Sequence, residues 1–124
     1  MECYNISDLP HEQLSSLKTG EVFSCSVILS KLFTFEKLFV HHEILSPGKR
    51  ASSPHHHTLQ EEMIFILEGF PMAHHGKETL NLKPGDCVGF KPNSKDLHFV
   101  ENNTSREVRF LVICSKPEDD QIIY

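Results

Sequence analysis

After Gly20 no helical period of apolar positions remains, and the chain is built of short runs rich in β-branched and aromatic residues. These runs predict strands over residues 22–29, 38–45, 62–67, 72–75, 87–90, 98–101 and 108–114. Turn residues separate them: Ser46-Pro47-Gly48, Gly69-Phe70-Pro71, Lys83-Pro84-Gly85, Pro92-Asn93-Ser94 and Asn102-Asn103-Thr104. Many short strands at this spacing predict a β-sandwich or barrel. The beginning departs from the pattern. Residues 8–18 (DLPHEQLSSLK) predict a short helix, with Asp8 as its cap, Pro10 in its first turn and Thr19-Gly20 as its stop. The end, KPEDDQIIY, is acidic and then apolar, and reads as a last edge strand or a partner-binding arm. The expected organisation is a helical arm over residues 1–20 and one all-β domain over residues 21–124.

The strongest chemical signal lies between Gly48 and Gly69, GKRASSPHHHTLQEEMIFILEG. His55 and His57 are two apart, so on an extended chain both imidazoles reach one point. Glu62 opens the next strand and shares its parity with Ile64 and Ile66. A carboxylate on an apolar barrel wall is costly unless a cation or hydrogen bonds compensate it. Two imidazoles and a carboxylate make a donor set suited to a transition metal. About forty residues downstream, GDCVGFKPNSKDLHFVEN carries His98 on a strand with Val100 and Asn102 on the same face. His98 is the fourth candidate ligand. Glu61 competes with Glu62, although the Ile64/Ile66 parity favours Glu62. His56 points the other way, and His74-His75 beside Gly76-Lys77 reads as exposed. His42 shares a face with Leu38, Val40 and Ile44, either lining the pocket as a proton shuttle or filling the core. Phe90, Phe99 and Phe110 read as core. Met63, Phe65 and Leu67 leave the other face of the Glu62 strand apolar, so a second subunit or the N-terminal helix is expected to cover it.

Composition narrows the function classes. A chain of 124 residues supports a single core. Its longest apolar stretch, near residues 63–67, is far short of the ~20 residues that cross a membrane. With 12 basic and 17 acidic residues, net −5, it offers no basic face for nucleic acid or anionic lipid. The first ten residues hold two acids and no basic apolar leader, so a cytoplasmic location is expected. Cys3, Cys25, Cys87 and Cys114 show no C-x-x-C pair. An even count allows two disulfides, but reduced, buried thiols are the better reading.

The two histidine segments resemble the motifs of the cupin family. Its first motif, G-x5-H-x-H-x3–4-E-x6-G, is matched by Gly48, His55, His57, Glu62 and Gly69 with one extra residue before His55. Its second, G-x5-P-x-G-x2-H-x3-N, is matched by Gly85, Pro92, His98 and Asn102, with one extra residue before Pro92, one before His98, and Ser94 in place of glycine. Residues 33–124 look most like small single-domain bacterial cupins of unassigned function. The resemblance implies a double-stranded β-helix, a jelly-roll-like barrel, holding one divalent metal ion (iron, manganese, nickel, copper or zinc) on His55, His57, Glu62 and His98. It also implies a small-molecule ligand or substrate and a homodimer. Three functions follow: a metalloenzyme of oxygenase, isomerase or hydrolytic type, a non-catalytic module that binds or senses a small ligand, and a barrel whose metal is only structural.

Overall fold

The computed structural model describes residues 1–124. Eleven strands follow one another: β1 (Glu12–Ser15), β2 (Val22–Ile28), β3 (Leu38–Leu45), β4 (His56–His57), β5 (Glu62–Glu68), β6 (Met72–His75), β7 (Glu78–Asn81), β8 (Cys87–Phe90), β9 (His98–Glu101), β10 (Val108–Ser115) and β11 (Ile122–Ile123). A single helical turn, α1 (Leu29–Leu32), follows β2. Six strands form one sheet in the order β1-β2-β3-β10-β5-β8. Facing it are the sheet β7-β6-β9 and the pair β11-β4. Every strand pairing is antiparallel.

Strand β10 is the centre of the large sheet, and its alternation decides what is inside. Val108, Phe110, Val112 and Cys114 are buried, while the residues between them are only half-buried. Register carries this inward face across the sheet. Phe110 pairs with Glu43 on one side and Ile66 on the other, Val112 with His41 and Ile64, and Cys114 with Phe39 and Glu62. The core of Leu45, Ile64, Ile66, Ala73, Leu82, Phe90, Val100, Val108, Phe110, Val112 and Cys114 therefore sits between the sheets. Complete burial of an aliphatic or aromatic side chain is worth about 1.5–3 kcal/mol. Glu62, Ile64 and Ile66 do share that interior face. Met63 and Leu67 stand on the opposite face, 38% and 41% exposed.

The N-terminal helix is not formed. Residues 8–18 hold instead the end of a lone 3-10 turn (Ile6–Asp8) and strand β1, which pairs with β2 along Glu12↔Ser26 and Gln13↔Cys25. The cap is Asn5, whose side chain accepts from the Ser7 N–H, not Asp8. Ser16 explains the stop: its hydroxyl accepts from the Lys18 and Thr19 N–H groups, closing a turn where a helix would need those donors along its axis. The Gln13 amide adds bonds to the Phe23 and Ser24 carbonyls. An isolated helix of eleven residues is marginal in water, and the strand pairing outweighs it. The cysteine expectation is corrected in part. All four are unpaired, but only Cys114 is buried, while Cys3 and Cys87 are exposed. No helix is long and apolar enough to cross a membrane.

Candidate metal centre

His55, Glu62 and His98 come from three separate places and meet inside the barrel. One ligand atom of each lies within 4.8 Å of the others. A two-way backbone bridge between His55 and His98 (3.1 and 2.8 Å) brings the first and third together. Inward parity on β5 supplies the second. Glu61 is exposed on the outside, and its N–H is bound by the Ser115 hydroxyl. His57 is next to the group, with its ring centre 5.2 Å from that of His55, and lines the same cavity. His56 does not line it.

Hydrogen bonds on the far side of two rings fix which nitrogen faces the site. A carbonyl can only accept, so the Nδ1–H of His55 donates to the Ser53 oxygen at 2.8 Å and leaves Nε2 bare. The Nδ1–H of His57 donates to Asp120 Oδ2 at 2.7 Å and leaves Nε2 as the acceptor, with the Gln60 amide 3.5 Å away. Asp120 is itself held by the Leu59 and Gln60 N–H groups. Burial would raise its carboxyl, but His57 and these two donors hold it below its usual value. The His98 Nε2–H donates to the Glu62 carboxylate, 2.6 Å from Nε2 to Oε2. The His98 ring lies flat on Phe90, 3.9 Å between centres, and its buried Nδ1 has no partner. Such an orphan costs about 1–3 kcal/mol, the consequence of aiming Nε2 at Glu62. Burial pushes Glu62 up, yet the His98 bond and the charges of His98, His55 and His57 outweigh it and keep the carboxyl low. Burial in turn pushes His55 down, towards the neutral form a metal requires. Burial also raises the Cys114 thiol, whose S–H approaches Glu62 Oε1 at 3.9 Å.

The cluster lines a cavity of about 350 Å³. A second cavity of about 610 Å³ lies between the turn at Ser16–Thr19 and the tail residues Ile122 and Tyr124, and shares Ser15, Phe23, Ser52 and His55 with the first. The tail is thus an edge strand, as one of its two readings had it, and β11 pairs with β4 beside the site. Asp120 was not read as functional. Its hydrogen bond spans 63 residues of sequence, and nothing local signals it. His42 does not line the cavity. The inward residues of β3 are Phe39, His41 and Glu43, whereas His42 is 2% exposed on the outer face, hydrogen-bonded at 2.8 Å to His11. His74 and His75 are half-buried rather than exposed, bound to Glu101 and Ser94. Phe90 and Phe110 are core, while Phe99 is half-buried against His74.

No curated protein matches the chain. Among solved structures, a candidate sugar phosphate isomerase from Acidithiobacillus ferrooxidans is 24% identical, with a TM-score of 0.87 over 96% of this chain and 76% of that one. A cupin-superfamily sugar phosphate isomerase from Silicibacter pomeroyi is 25% identical, with a TM-score of 0.78 over 82% of this chain and only 64% of that one. A predicted oxalate decarboxylase from Thermotoga maritima is 22% identical, with a TM-score of 0.78 over 94% and 100%. The profile of the cupin domain matches residues 41–114, from within β3 to within β10. The chain belongs to the cupin family.

Proposed function

We propose that this chain is a metal-binding cupin that acts on a small oxygen-bearing molecule in the barrel, as a metalloenzyme of the isomerase or oxygenase kind. The convergence of His55, Glu62 and His98 within 4.8 Å carries the proposal. The donor set fits a divalent ion. Two imidazoles have their outer nitrogens tied back, and the Nε2 proton that His98 donates to Glu62 is what an ion would displace. His55, His57, Glu62 and His98 would hold the ion, three nitrogens and one carboxylate, with further positions open to a ligand. Bound there, a divalent transition ion supplies a positive centre for a carbonyl or hydroxyl oxygen. The chain supplies the rest: a cavity of about 350 Å³, near the small end of the ~300–1,000 Å³ range of ligand sites, with apolar walls at Phe39, Ile64, Val100, Phe110 and Val112 beside the polar cluster. The names of two of the similar structures, both sugar phosphate isomerases, favour the isomerase kind. A non-catalytic binding module is the alternative, and the buried Glu43 and half-buried His41 in the same cavity favour the enzyme over it.

The exposed Met63 and Leu67 on the outer sheet face support a homodimer. The four unpaired cysteines support a cytoplasmic location, and the β1 segment is proposed to be part of the barrel domain. The test is metal analysis of freshly purified native protein, followed by mass spectrometry of small molecules released on denaturation. About one ion per chain is expected. Only trace metal in protein that also fails to take up any of the five candidate ions would overturn the reading.

A further inference from the structure

The barrel contains a second polar cluster that the metal reading does not use. Glu43 is 5% exposed and has no lysine or arginine paired with it. Its Oε2 accepts from the Ser24 hydroxyl at 2.6 Å, and Ser24 is itself fully buried. Its Oε1 lies 2.9 Å from His41 Nδ1. The carboxylate can only accept, so Nδ1 carries the proton and the Nε2 lone pair of His41 is bare. Ser26, 3.4 Å from the same Nδ1, adds a weak third contact. His41 and Glu43 both line the cavity that holds His55, Glu62 and His98. Register gives the separation. His41 and Ile64 flank Val112 in one row of the sheet, and Glu62 is two residues further along β5. Two strand spacings and two residues of rise put the backbones of His41 and Glu62 roughly 12 Å apart, with both side chains inward. That gap fits a molecule of a few carbons.

From this geometry we infer that His41 is the proton-transfer base of the site, that Glu43 is its positioning residue, and that the substrate is a small α-hydroxy carbonyl compound whose hydroxyl and carbonyl carbons exchange places. The inference rests on the metal reading of the facing cluster and narrows it from oxygenase or isomerase to isomerase. A substrate seated between the two clusters presents the C–H of its hydroxyl-bearing carbon to His41 Nε2. Nε2 takes that proton, the C–H electron pair becomes the C=C bond of an enediol, and the carbonyl π pair moves onto its oxygen. The imidazolium, stabilised by Glu43, returns the proton to the former carbonyl carbon while the hydroxyl proton passes between the two oxygens. Atoms and electrons balance with no oxidant or reductant. An isolated buried carboxylate is unfavourable, and the Ser24–Glu43–His41 chain satisfies both its oxygens while holding the imidazole in one tautomer.

Two measurements test this. In metal-free protein, nitrogen–proton correlation spectra of the imidazoles should show His41 protonated on Nδ1 and bare on Nε2. An Nε2-protonated His41 overturns the assignment. In deuterium oxide, protein loaded in turn with each candidate metal is incubated with dihydroxyacetone, glyceraldehyde and their monophosphates, and mass spectrometry follows carbon-bound deuterium. Wash-in is expected, and His41→Gln should slow it at least ~100-fold with the fold and metal content retained. Glu43→Gln should lower kcat with little change in KM, and Glu43→Asp should recover part of it. Wash-in absent from every probe, or unchanged in His41→Gln, overturns the inference. Metal content of the same samples separates the two readings. Wild-type protein that holds its ion but shows no wash-in overturns the dyad alone, whereas wild-type protein that takes no ion overturns the metal reading and this one with it.

Discussion

Replacing Gly69 with alanine tests whether the glycine that ends the first motif is there for space as well as for conformation. Gly69 follows β5, has φ of +85°, and sits where β5 and β10 slip register between Arg109 and Phe110. A Cβ there would meet the Glu107 carbonyl oxygen and Val108 Cγ2 at 2.8 Å, and Val108 Cα at 3.0 Å. Two of those atoms are backbone, one at the first residue of the central strand and one just before it, and cannot yield as a flexible side chain would. The left-handed conformation costs alanine about 1–2 kcal/mol, and overpacking adds about 1–3 kcal/mol, so Gly69→Ala should lose about 2–5 kcal/mol. Gly48, at φ of +76°, has nothing within 4 Å of the same added atom. Gly48→Ala should lose only the conformational part, about 1–2 kcal/mol. For a chain of this length each kcal/mol is worth about 4 °C in Tm, so losses of about 8–20 °C and 4–8 °C are expected. Urea unfolding of both variants, followed by circular dichroism, measures the difference at constant m. A loss for Gly69→Ala equal to or smaller than that for Gly48→Ala would refute the steric argument.

Three further outcomes follow. Asp120→Asn should weaken metal binding about 10–100-fold by releasing His57 Nδ1, read by competition with a chelator; unchanged affinity would remove His57 from the ligand set. Burial, then the charges of His11 and Arg109, lowers His42 to about 4. A depressed histidine takes its proton first in the unfolded chain, so metal-free protein should hold its full stability above about pH 6.5 and lose up to about 3 kcal/mol as pH falls to about 4. His42→Leu should flatten that slope in denaturant titrations at several pH values, and an identical slope would exclude His42 as its source. Met63→Glu with Leu67→Glu should convert a species of twice the 14.2 kDa chain mass into a monomer by light scattering, and wild-type protein already monomeric at micromolar concentration would exclude the proposed dimer.

Much of the barrel was legible because its strands are amphipathic. The alternation Glu62, Ile64, Ile66 against Met63, Phe65, Leu67 sets the β5 face without ambiguity, and the turns at Pro92-Asn93-Ser94 and Asn102-Asn103-Thr104 fall where they were read. Strand β3 defeated the same argument because both of its faces mix apolar and ionisable residues. Val40, His42 and Ile44 look inward, while Glu43, buried by a serine and a histidine, looks like a surface residue. The N-terminal segment has helix-compatible spacing, but its serines and Gln13 satisfy backbone groups of a hairpin instead. Strand β7 is exposed throughout and carries no periodic signal. The histidine and carboxylate spacing pointed to one cluster, yet the Asp120 contact that orients His57 depends on where the tail returns, which only the folded chain specifies.

The most direct test of the metal centre is an equilibrium titration of metal-free protein with each candidate divalent ion, counting ions per chain against a competing chelator. The arrangement of His55, Glu62 and His98 predicts one tight site, weakened at least ~10-fold by His57→Ala and abolished by His55→Ala combined with His98→Ala. One ion per chain bound with undiminished affinity by that double variant would contradict it.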